Sequence, residues 1–112
     1  MADFGITVTG SATFTMTGEL DLATVPLMDV AIGDSVARGG SMVLDVADVT
    51  FADSSGIGAI IRSADALSPG CLVLHGVHDR VRKVIDVMGA DRALPNLHVI
   101  PCLHRGERVS KD

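Results

Sequence analysis

VLDVADVTFADSSGIGAII, residues 43–61, decides how the rest of the chain is read. It opens with a nearly continuous apolar run, which predicts a short buried strand centred on Val43–Val46. It closes on a different period: Ile57, Ile60, Ile61, Ala64 and Leu67 recur at helical spacing and make one apolar stripe. Between the two stand Asp53, Ser54, Ser55 and Gly56, so the stretch reads as strand, tight junction and helix N-terminus. Asp53 or Ser54 can cap that helix for about 1 kcal/mol, but a cap needs only one such residue. A serine is left over. A hydroxyl beside the unpaired N–H groups of a first turn is a good phosphate acceptor, exposed and rigidly presented. On those physical grounds either serine qualifies. Gly56 and Gly58 keep the surface low, so another protein can approach closely.

Working outward, residues 5–18 (GITVTGSATFTMTG) alternate apolar and hydroxyl residues and predict two short strands turning at Gly10-Ser11. In GELDLATVP, Thr24 is the candidate N-cap of a helix whose first turn tolerates Pro26. Val25, Met28, Ile32 and Val36 form its apolar face, Gly33 weakens it by about 1 kcal/mol relative to Ala, and Gly39-Gly40 close it. On the other side, Pro69-Gly70 end the serine helix and CLVLHG predicts a buried strand. HDRVRKVIDVMG follows as an amphipathic helix with Val81, Val84, Ile85 and Met88 inward and Gly89 as its stop, then LHVIPC as a last strand. Strand, strand, helix, strand, helix, strand, helix, strand is an α/β order. It implies a mixed, mostly parallel sheet with an antiparallel first strand pair and packed helices.

The totals narrow the function. A chain of 112 residues makes one domain, and 47% hydrophobic with 21% charged residues is ordinary globular usage. Three Phe with no Trp or Tyr give no base-stacking platform, and a net charge of −5 disfavours nucleic acid and anionic membrane as partners. No apolar stretch is long enough for a membrane span, and MADFGITVTG has no signal-peptide pattern, so the cytoplasm is the default expectation. Cys71 and Cys102 lack a CxxC motif and read as reduced thiols.

Three separated segments carry a resemblance: GELDLATVP at 18–26, the opening stretch at 43–61, and DRVRKVIDVMG at 79–89. They resemble the STAS domain and, more narrowly, the anti-sigma factor antagonists, or anti-anti-sigma factors. The likeness runs in order from about residue 5 to residue 101, with D-S-S-G after an LD…V.F strand as its specific part and GELD in support. It implies a STAS domain over residues 1–103 and a short polar tail over 104–112. It implies that Ser55 is phosphorylated by a partner kinase that is itself the anti-sigma factor. Asp21 and Asp53 match acidic positions of the partner-binding surface, with Ser54 and Gly56 as supporting neighbours. Such a protein is a substrate and binding partner rather than an enzyme, and needs no cofactor or metal. A phosphatase acting on phosphorylated Ser55 is a further implied partner. Family members usually end in an amphipathic helix, whereas PCLHRGERVSKD offers only Leu103 and Val109. If that helix is missing, bare apolar surface favours a weak homodimer.

Other chemistries fit less well. A serine hydrolase elbow wants G-x-S-x-G, but the chain has Ala52-Asp53-Ser54-Ser55-Gly56, with His75, His78, His98 and His104 as the available bases. Cys71, His75 and His78 straddle a strand end and its turn, while Cys102 and His104 lie far along, so the spacing does not suit zinc. Arg80, Arg82 and Lys83 sit mostly off the apolar stripe and read as a solvated helix face rather than an anion site. The alternative within the resemblance is a STAS scaffold or regulatory subunit, stressosome-like or transporter-associated, without a phosphoswitch.

Overall fold

The computed structural model describes residues 3–101. The elements are β1 (Phe4–Gly10), β2 (Thr13–Leu20), α1 (Val25–Arg38), β3 (Met42–Ala52), α2 (Ser54–Leu67), β4 (Leu72–Val77), α3 (Asp79–Met88), α4 (Ala90–Ala93) and β5 (Leu97–Pro101). The predicted order holds, with α4 as an addition. The 103/104 boundary, the tail and the question of a final helix lie outside the described residues, as do Cys102 and His104.

The strands lie in sequence order, β1-β2-β3-β4-β5, with β1 and β2 antiparallel and every later pair parallel. Each parallel crossover steps the same way across the sheet. With right-handed connections, that places α1, α2 and α3 on one face. Burial agrees. Met16, Leu44 and Leu74 point into the core, and Met28, Ile32, Ile57, Ile60 and Ile85 close over them from the helices. The opposite face carries a row made of Thr15, Asp45, His75 and Ile100, which are register neighbours across β2 to β5 and half-buried to exposed.

Four local readings need correction. The first turn is Ser11-Ala12 rather than Gly10-Ser11, with Ala12 in the left-handed region at φ 48. The strand predicted as short is 11 residues long. Its inward side steps from Leu44 to Val46, Val49 and Ala52 because register shifts against β2 insert extra residues and re-phase the alternation. Met88 is 37% exposed rather than inward. Gly89, left-handed at φ 66, ends α3 there, and the fully buried Ala90 closes the core instead. Finally, α4 fills the connection to β5 that the sequence pattern left blank.

The extra length of β3 shapes the site. β4 pairs with β3 only from Met42 to Asp45, whereas β2 pairs with it to Ala52. The second half of β3 therefore has one unpaired side. The His78 ring takes up the Val49 carbonyl on that side. The start of α3 stands off from the strand and leaves a cleft of about 890 Å³ between Asp48–Thr50 and His78–Arg80. Among the described residues, no helix is long and apolar enough to cross a membrane.

Candidate functional site

β2 and β3 end together, since Leu20 and Ala52 are register partners. Asp21 and Asp53 are therefore the next residue out on each strand, side by side at the carboxyl edge of the sheet. In open α/β sheets this edge is where functional loops gather. Both aspartates are half-buried.

Asp53 is the cap of α2, and Ser54 is not. Its backbone is extended (φ −105, ψ −173), and its carboxylate accepts the Gly56 N–H at 3.0 Å. Its own N–H donates to the Leu20 carbonyl at 3.3 Å, which ties the helix start to the end of β2. Gly56 is buried against the same residue. A Cβ there would lie 2.5 Å from the Leu20 carbonyl oxygen and 2.8 Å from Leu20 Cγ. The first and last residues of the Asp53–Gly56 motif are thus both engaged by the fold itself.

The serines between them are not. Among the described residues, neither the Ser54 nor the Ser55 hydroxyl has a hydrogen-bond partner. Ser54 is exposed, whereas Ser55, expected in the open, is half-buried. Each residue turns about 100° round a helix, so adjacent hydroxyls cannot face the same way, and Ser54 takes the outermost position.

The β2–α1 turn builds the other wall. Asp21 Oδ1 accepts the N–H groups of Ala23 at 3.0 Å and Thr24 at 3.2 Å, closing a turn. The Thr24 hydroxyl accepts the Asp21 N–H at 2.9 Å and donates to the Glu19 carbonyl at 2.7 Å. Thr24 precedes α1 as predicted, yet its side chain makes no capping bond. It faces back into the turn, while Pro26 occupies the first helical turn. Leu20 is the hub: Asp21 follows it, Asp53 bonds to it and Gly56 packs on it, so Asp21, Asp53, Ser54 and Ser55 gather at one edge, while Gly56, predicted as a partner contact, is buried.

Two apolar residues beside this surface were missed from the sequence. Leu22 is 75% exposed and Phe51 is 47% exposed. The available signals were a large apolar side chain inside a polar turn, and an aromatic two residues before Asp53 that falls outside the strand alternation. The other sequence candidates lie apart from the serines. His75 sits in the row on the open sheet face, and Arg82 pairs with Asp86 at 3.2 Å. Among the described residues, no group of three His, Cys, Asp or Glu is placed to hold a metal ion.

Comparison with known proteins gives two kinds of match. The family model described as the STAS domain matches residues 6–104. An anti-sigma factor antagonist from Mycobacterium paratuberculosis superposes with a TM-score of 0.73 at 25% identity, covering 98% of this chain and 96% of that chain. The anti-sigma factor antagonist SpoIIAA in its unphosphorylated form gives 0.64 at 19% identity, covering 98% and 100%. The Bacillus cell fate determinant SpoIIAA in its phosphorylated form gives 0.62 at 21% identity, covering 97% and 98%. Comparison with curated proteins gives no significant match.

Proposed function

The chain belongs to the STAS domain family, and on that premise we propose that it is an anti-sigma factor antagonist switched by phosphorylation of Ser55. The observation that carries this reading is the pair of partnerless hydroxyls at the start of α2. Asp53 already caps the helix, so no structural task is left for the serines. The full-length likeness to an anti-sigma factor antagonist supports the same role.

The chain serves as substrate and ligand. In the kinase reaction, Ser55 Oγ forms a bond to the γ-phosphorus of ATP, the bond to the ADP oxygen breaks, and the serine proton passes to a base of the kinase. Phosphoryl transfer also needs a nucleotide cradle and Mg²⁺ ligands, which the anti-sigma kinase supplies. Unphosphorylated, the surface formed by Asp21, Asp53, Ser54 and Ser55, with Gly56 holding the helix close, docks on the anti-sigma factor and so releases the sigma factor. A phosphatase acting on phosphorylated Ser55 resets it.

Phosphorylation adds about −1.5 to −2 charges beside two carboxylates on a chain of net charge −5. In a docked interface those charges lose water, and an uncompensated anion there costs several kcal/mol. A loss of about 3 kcal/mol weakens binding more than a hundredfold. In the free protein the N-terminus of α2 favours the phosphate by up to about 1 kcal/mol, so the fold need not rearrange.

The test is direct. The chain is incubated with ATP and each candidate anti-sigma kinase of the same organism, the phosphosite is mapped, and binding of Ser55→Ala and Ser55→Asp is measured. Label on Ser55, retained binding by Ser55→Ala and roughly hundredfold weaker binding by Ser55→Asp are expected. Label on Ser54 moves the switch by one residue. No label from any of them overturns the switch and favours the scaffold role.

A further inference from the structure

We infer that the docking partner seats an apolar side chain, with an acidic residue next to it, in the cleft between Phe51 and α3. This rests on the partner-switching reading above and adds the chemistry that the partner must present. The cleft has a volume of about 310 Å³ and is lined by Phe51, Ala52, Asp79, Arg80, Lys83 and Val84. That is the lower end of the range for ligand pockets, enough for one large side chain.

Its walls are apolar where they are deepest. Ala52 is buried and Val84 half-buried, and Phe51 forms the open side. Phe14 is 3% exposed in the core, whereas Phe51 is left 47% exposed at the mouth of a concavity. Exposed aromatics in such places are the usual anchors of protein interfaces.

The charge at the rim is opposite to that of the chain as a whole. Arg80 and Lys83 stand exposed against the single carboxylate of Asp79, in a protein of net charge −5. Arg80 reaches the Thr50 carbonyl only at 3.5 Å, and Lys83 has no hydrogen bond or ion pair among the described residues. An acidic group on the partner would meet them both. Asp21 and Asp53, at the serine end of the same surface, would repel it, and this polarity fixes the orientation of docking.

Position makes the cleft part of the same interface. Phe51 and Ser55 are four residues apart, so their Cα atoms are at most about 14 Å from each other. A standard interface covers about 800 Å² on each partner, a disc of about 16 Å radius. A protein centred on Ser55 therefore extends far enough to reach the cleft.

The experiment measures binding of the unphosphorylated chain to the anti-sigma kinase that labels it, at low and high salt. Thermal unfolding serves as a folding control. The double variant Arg80→Glu/Lys83→Glu should bind at least tenfold more weakly, with the loss larger at low salt. Phe51→Ala should lose at least tenfold at both salt concentrations. Arg92→Glu, on α4 before β5 at the opposite edge of the sheet, should bind as the wild type does. If the double variant and Phe51→Ala both bind within twofold of wild type while Ser55→Asp is weakened, the cleft is not a docking site and the switch stands. If Ser55→Asp binds as tightly as wild type, the switch fails and the inference falls with it.

Discussion

Two strand-to-helix junctions lie side by side at the carboxyl edge of this sheet and use nearly the same parts. β2 enters α1 through Leu20, Asp21, Leu22, Ala23 and Thr24, and β3 enters α2 through Ala52, Asp53, Ser54 and Ser55. In each, an aspartate closes the turn on backbone N–H groups. They differ in the fate of the hydroxyls. Thr24 is 2% exposed and its hydroxyl is held on both sides by backbone. Ser54 and Ser55 lie where solvent reaches them and are held by nothing among the described residues. A hydroxyl at one junction builds the fold, and two at its neighbour are available for something else.

The sharpest way to break the second junction leaves the serines untouched. Gly56→Ala gains helix propensity of about 1 kcal/mol, yet its new methyl would lie 2.5 Å from the backbone oxygen of Leu20. Backbone cannot swing away as a side-chain tip does, so overpacking wins. A net destabilisation of about 2 kcal/mol is expected in urea unfolding. An alanine variant as stable as wild type would mean that α2 is not clamped to β2 as described.

The first junction should break through its hydroxyl. Thr24→Val keeps the volume but strips partners from the Asp21 N–H and the Glu19 carbonyl, at a cost of about 2 kcal/mol. The corresponding loss at the second junction is smaller. Asp53→Ala removes one half-buried cap for about 1 kcal/mol. Chemical unfolding of the two variants gives the ratio, and a larger loss for Asp53→Ala would reverse the contrast between them.

Periodicity made most of this architecture legible. The stripe from Ile57 to Leu67, the alternation around Phe14 and Met16, and the punctuation at Gly39 and Gly89 give the element order, because core burial imposes those periods. Sequence alone did not give the end of β3 beyond SMVLDVADV, at residues 50–52, nor the bulges that re-phase its inward side after Val46. It also misplaced Met88, whose spacing fits a stripe that Gly89 cuts short. At the site, Asp53, Ser54, Ser55 and Gly56 stand out as a motif, and Asp21 is drawn in by the resemblance. The role of Leu20 as hub rests on contacts between separate strands, and that of Thr24 as backward brace on the path its own turn takes, neither of which periodicity encodes. Leu22 and Phe51 escaped for a related reason: exposure of an apolar residue is a property of the folded surface.

The smallest expected effect bears hardest on function. If the serines have no structural task, Ser54→Ala/Ser55→Ala should unfold within about 0.5 kcal/mol of wild type, as surface changes away from packed or bonded features do. Alanine even gains slightly in helix propensity at both positions. Thr24→Val, about 2 kcal/mol less stable by the same measurement, is the internal standard showing that this edge of the sheet can register a lost hydroxyl. A destabilisation by the serine variant close to that of Thr24→Val would mean that the hydroxyls brace α2 after all, and capping would then suffice to explain Asp53-Ser54-Ser55-Gly56. An unchanged midpoint, with binding to the anti-sigma factor retained and phosphorylation abolished, would leave regulation as the role of the pair. The two outcomes differ by more than 1 kcal/mol, a gap that an ordinary unfolding curve resolves.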